Sequence, residues 1–81
     1  MVIEAIRQLN RAEPFVPYEI QMASGRKYIV PHSDFIFVSP RGHWVMVVDR
    51  SERPNHLSSF LIERVAPLRM IRRRGSRKGR G

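Results

Sequence analysis

Two apolar runs without polar alternation, Phe35-Ile36-Phe37-Val38 and Trp44-Val45-Met46-Val47-Val48, set the hardest condition on how this chain folds. A half-solvated antiparallel strand alternates apolar and polar side chains, whereas these two must be covered on both faces. Pro40-Arg41-Gly42 lies between them and reads as a turn. A short open sheet would leave one of their faces wet. A strongly bent sheet, covered by a helix on one side and by a neighbouring subunit on another, hides both. The chain has 81 residues, a size at which folding buries only about 60% of the surface the unfolded form exposes. It has no cysteine, so neither disulfides nor thiolate zinc sites reinforce the core, and association between copies is the remaining device. The expectation is a homo-oligomer with Ile36, Val38, Val45 and Val47 at its interface.

The flanking segments supply the rest of a small β-rich domain. Val2, Ile6 and Leu9 recur at helical spacing with Glu4, Arg7, Gln8 and Arg11 on the opposite side, which predicts an amphipathic helix over 2–12. Pro14 and Pro17 stop it, since proline lacks an amide hydrogen and turns the residue before it away from the helical region. From Tyr18 the period becomes two: Tyr18, Ile20 and Met22 point one way, Glu19 and Gln21 the other. Ser24-Gly25 then predicts a tight hairpin into a second strand, Arg26 to Val30. Residues 49–55 read as a polar loop, and 56–61 as a short element with a turn of 3₁₀ or helix. Ile62 to Leu68 reads as a last edge strand in which Pro67 is tolerated.

Charge is segregated. Residues 1–68 hold eight Lys/Arg against seven Asp/Glu, for +1, while 69–81 hold Arg69, Arg72, Arg73, Arg74, Arg77, Lys78 and Arg80, for +7. The body, 1–68, is one domain, and the tail, 69–81, is too charged and glycine-rich to build a core. Arginine presents a planar fork of donors that matches phosphate oxygens, and six of the seven tail cations are arginine. The tail carries no aromatic residue, so it is not expected to stack on bases.

His32-Ser33-Asp34 looks like chemistry, but three consecutive side chains cannot converge into a nucleophilic triad. The expected role is a corner after Pro31, with Ser33 or Asp34 bonding backbone amides. His32, His43 and His56 match no metal-ligand spacing, the carboxylates form no evident catalytic pair, and GSRKGRG lacks the strand and helix of a phosphate loop. No catalytic residue, metal or cofactor is expected. No stretch approaches the roughly 18 apolar residues of a membrane span, and the N-terminus lacks a signal-peptide pattern, so the expected location is the cytoplasm.

The order of these elements, carried by PYEIQMASGRKYIVPHSDFIFVSPRG, WVMVV and SSFLIERVAP, resembles the Sm-like barrel, including its bacterial Hfq branch, over residues 2–68. The resemblance implies a mainly β fold: a small, strongly bent five-stranded antiparallel barrel, Sm-like or SH3-like, with an N-terminal α-helix and a short 3₁₀ turn before the last strand. It also implies a ring-forming, RNA-binding module. The Tyr-Lys-His turn of the Hfq branch is replaced here by Leu57-Ser58-Ser59-Phe60, so the pore contacts of that branch are not implied. Phe15, Pro17, Tyr18, Ile20, Gly25, Arg26, Tyr28, Val30, Pro31, His32 and Phe35 also resemble a group of small bacterial proteins that lends no activity. The functional expectation is a non-catalytic, oligomeric module that binds RNA or another nucleic acid. Its tail cations are the main contacts, and Arg26, Lys27, Tyr28 and His32 are secondary ones. The competing expectation is a protein-interaction module whose apolar strands dock a partner.

Overall fold

The computed structural model describes residues 2–69. Helix α1, Val2–Arg11, forms where the sequence places it, with Glu4 in its first turn and Arg11 in its last, each complementing the helix dipole. Ile6 is fully buried, and Glu4 pairs with Arg7 at 3.1 Å on the solvent side.

Six strands follow, in two antiparallel three-stranded sheets. The first sheet has the order β2-β1-β6, from β1 (Tyr18–Met22), β2 (Lys27–Val30) and β6 (Ile62–Pro67). Its hairpin closes through Gly25, whose φ of +96° lies in the region that glycine enters without penalty. Tyr18, Ile20 and Met22 face inward as their alternation requires, and β6 is an edge strand, so Pro67 interrupts no interior ladder. A bulge between Gln21 and Met22 leaves Glu63 as the extra residue of β6. The second sheet has the order β3-β4-β5, from β3 (Ile36–Val38), β4 (Trp44–Val48) and β5 (Pro54–Ser58).

One core joins the sheets and the helix. Ile6, Tyr18, Ile20, Val30, Val45 and Val47 are its fully buried side chains, with Met22, Leu57 and Ile62 beside them. The 3₁₀ turn Ser59–Leu61 ties the sheets together at one end: Ser59 N–H donates to the His43 carbonyl (3.0 Å), and Ala23 N–H to the Leu61 carbonyl (2.7 Å).

The expected five-stranded barrel is corrected in two respects. No closed barrel forms among the described residues; Pro31 and a 3₁₀ turn over Ser33–Phe35 separate β2 from β3, so no single bent strand carries the chain from one sheet to the other. The additional strand is β5, in the segment read as loop and unassigned element. Its only inward apolar side chain is Leu57, and it is held by backbone pairing with β4 from Trp44–Ser58 to Val48–Pro54. Pro54, the first residue of this edge strand, occupies a position where a missing amide costs nothing. The 3₁₀ turn before the last strand is present as expected.

Candidate nucleic-acid interface

The hairpin that creates β2 also puts three of the predicted contact residues on one seam between the sheets. Arg26 and Tyr28 line a groove of about 440 Å³ that is completed across the gap by His56, Leu57 and Ser58 of β5. Lys27 and Tyr28 line a second of about 270 Å³, completed by Val47, Val48, Asp49 and Arg50. Tyr28 belongs to both. It faces inward, opposite Ile20, and its phenol oxygen lies 3.4 Å from Arg26 Nη1. Arg50 and His56 are the members of this seam that sequence reasoning missed. Arg50 lies in the segment read as loop and His56 at the start of the unassigned element, and the pairing of β4 with β5 and the packing of that sheet against β2 bring them to the seam.

The seam is electropositive. Arg26, Lys27 and Arg50 stand along it, and none is within ion-pair distance of a carboxylate among the described residues. Asp49 is the one carboxylate lining either groove, and it is engaged in its own turn. Its Oδ1 accepts from Arg53 N–H (3.0 Å) and Ser51 N–H (2.9 Å), and Asn55 Nδ2 approaches Oδ2 at 3.5 Å. The backbone bond from Arg53, with those from Asn55 and Ser51 and the Arg53 charge, holds this carboxyl below the usual range against the opposing effect of desolvation. Held ionised and donated to by fixed amides, it organises the 49–53 turn.

His32 lies apart from this seam. Its Nδ1 accepts from Asp34 N–H (3.2 Å), its ring packs against Phe15 with centroids 5.5 Å apart, and the Asp34 carboxylate is 3.6 Å from Nδ1. The corner is there, but His32 makes the bond to the backbone that Ser33 or Asp34 was expected to make. His32, Ser33 and Asp34 do not assemble a nucleophile, since the imidazole nitrogen nearest the pair is occupied by a backbone amide. No three His, Asp or Glu side chains come together to hold a metal among the described residues, and no helix there is long and apolar enough to cross a membrane.

The side chains expected at an oligomer interface are placed inside the protomer. Val45 and Val47 are in its core, and Ile36 and Val38 pack against that core. The opposite parity faces out: Phe37 is 52% exposed and Trp44 37%. Their neighbours on this outer face are Met46, which is opposite both Phe37 and His56, and Ser58, opposite Trp44. Within the two runs Ile36, Val38, Val45 and Val47 turn in and Phe37 and Trp44 turn out, while Val48, also β-branched, shares the outward parity of Trp44. Of the tail cations, Arg69 is exposed at the end of the described chain, and Arg72, Arg73, Arg74, Arg77, Lys78 and Arg80 lie outside the described residues.

No protein-family model matches this chain, and comparison with curated proteins and with solved structures gives no match either.

Proposed function

We propose that this protein is a non-catalytic nucleic-acid-binding module, with RNA as its first partner, that works as an oligomer. The observation that carries the reading is the convergence of Arg26, Lys27 and Tyr28 with Arg50 on one unpaired, electropositive seam, in a chain whose last thirteen residues add seven cations. Arginine and lysine held apart from carboxylates are available to phosphate oxygens, and their binding releases counterions from the polyanion. The order of elements, helix, hairpin, second sheet, 3₁₀ turn and edge strand, supports an Sm-like arrangement of strands, here in two three-stranded sheets with Pro31 interrupting the bent strand. That reading places the protein in the cytoplasm, without a cofactor. The competing reading, a protein-docking module, draws on the exposed Phe37 and Trp44.

The test is binding of fluorescein-labelled single-stranded RNA, read by anisotropy, to the full chain and to a chain ending at Leu68. If all seven tail cations reach phosphates, the tail contributes about −5 to the slope of log K against log salt, from about −0.7 per contact, in addition to the contribution of the seam. The shortened chain binds far more weakly, with a shallower slope set by the seam. Equal affinity of the two chains would remove the tail from the mechanism. An absence of binding at low salt would remove the function.

A further inference from the structure

We infer that the outer face of the second sheet is a stacking platform for the unpaired bases of a single-stranded nucleic acid, with Trp44 at its centre and Phe37 and His56 on either side. The inference rests on the nucleic-acid reading above and adds the part of the ligand that the cations do not address.

Phe37 and Trp44 have ring centroids 5.9 Å apart, and Trp44 and His56 5.2 Å, with interplanar angles of 42° and 56°. These are tilted ring contacts and not parallel stacks. The spacing exceeds the roughly 3.4 Å step between stacked bases in one strand of a duplex, so it suits bases splayed from an unpaired strand rather than a base-paired stack. The face is built on paired strands, which holds the rings in place before any ligand arrives. Strands β3, β4 and β5 contain no carboxylate to repel a phosphate chain.

His56 joins this platform to the cationic seam, since it packs against Trp44 and also lines the groove that holds Arg26 and Tyr28. A strand whose phosphates follow Arg26 therefore meets the rings next. Charge complementarity selects the occupant: the exposed aromatic face adjoins, through His56, the groove lined by Arg26, which suits a polyanion with π-faces.

Trp44 is the sole tryptophan of the chain, so its fluorescence reports directly on the platform. Full-length protein is titrated with labelled oligouridylate and, in parallel, with inorganic polyphosphate, which supplies the charge without bases. Trp44 emission is recorded for wild type and Phe37→Leu, and probe anisotropy for wild type, Trp44→Leu and Phe37→Leu. Leucine keeps these positions apolar while removing the ring, and circular dichroism confirms that each variant is folded.

The expected result is saturable quenching by oligouridylate and none by polyphosphate. Trp44→Leu should bind oligouridylate about 5- to 150-fold more weakly, the range for one stacked base, with an unchanged salt slope because no phosphate contact is lost. Phe37→Leu should lose affinity in the same direction. Oligouridylate binding at full affinity to Trp44→Leu, or equal quenching by polyphosphate, would overturn the platform and leave the cationic function standing. Failure of the full chain to bind oligouridylate at low salt would overturn both. A concentration-dependent blue shift of Trp44 in protein alone, with dimers lost in Trp44→Leu, would assign the face to a second copy of this chain and overturn the inference.

Discussion

Tyr18→Phe tests how the helix is fastened to the first sheet. Tyr18, the first residue of β1, is fully buried, and its O–H donates to Asn10 Oδ1 of α1 at 2.7 Å. Phenylalanine fills nearly the same volume and removes the donor. A net hydrogen bond contributes about 1 kcal/mol, and that is the expected loss at pH 7, or a fall of about 4–8 °C in Tm for a domain of this size. Burial raises the Tyr18 pKa far above its ordinary value, only partly opposed by the bond to Asn10. The unfolded chain releases this proton above about pH 10 while the folded chain keeps it, so the unfolded state then binds fewer protons and stability falls as pH rises. The slope is about 1.4 kcal/mol per pH unit, and it continues until the folded phenol also ionises. The Tyr18→Phe variant has no such dependence. The two stability curves should therefore converge above about pH 10 and cross roughly 0.7 units higher, beyond which the variant is the more stable. Urea unfolding followed by far-ultraviolet circular dichroism, from about pH 7 to about pH 11.5, measures the difference between the two chains and cancels every titration they share. Parallel curves without convergence would refute a buried, neutral Tyr18.

Two further outcomes probe the turns that position the seam and the platform. Asp49→Asn keeps a side-chain acceptor but loses the charge that the amides of Ser51 and Arg53 favour. Because the folded carboxyl is held below its ordinary value, its contribution is present above about pH 4 and disappears as pH falls through the folded value. The variant should melt below wild type at pH 7 and match it at the acid end; a constant gap would show that the charge is immaterial. Gly42→Ala and Gly25→Ala both force a side chain to positive φ, at +75° and +96°, which costs about 1–2 kcal/mol for an L-residue. At Gly42 the new Cβ also meets Ile3 Cγ1 at 3.2 Å and Arg7 Nη2 at 3.3 Å, whereas at Gly25 it meets nothing. Gly42→Ala should therefore lower Tm more, and equal losses would refute the packing of α1 on the Arg41-Gly42 turn.

What could be read from the sequence follows from how much information each segment carries locally. Helix α1 and the β1–β2 hairpin were legible because their periodicity is clean and because Pro14 and Gly25 punctuate them. Strand β5 was not, since Pro54-Asn55-His56-Leu57-Ser58 carries one inward apolar residue and owes its conformation to pairing with β4. The inward and outward sides of β3 and β4 were hidden because both parities are apolar, and a period of two cannot be seen in a run without polar residues. That ambiguity misdirected the expected interface toward Val45 and Val47. The candidate seam was half legible: Arg26, Lys27 and Tyr28 lie on the recognisable hairpin, whereas Arg50 and His56 reach it only through tertiary contact across the two sheets.

The separation of charge from aromatic surface along this chain has a mechanistic consequence. On the proposed reading, the seven cations within residues 69–81 would bind any sufficiently dense polyanion, and the free energy of that step would come from released counterions, which carry no information about bases. A protein built only on such a tail would have no preference for a single strand over a duplex, whose charge density is higher. Phe37, Trp44 and His56 lie on the three strands of the second sheet, and the stacking proposed on them would require bases that are already unpaired. Affinity and strand selectivity are thus assigned to different segments and respond to different variables. Raising the salt should weaken binding through the tail to both single-stranded and duplex RNA, more steeply for the duplex, whose charge density is higher. The preference for the single strand should persist until Trp44 is replaced.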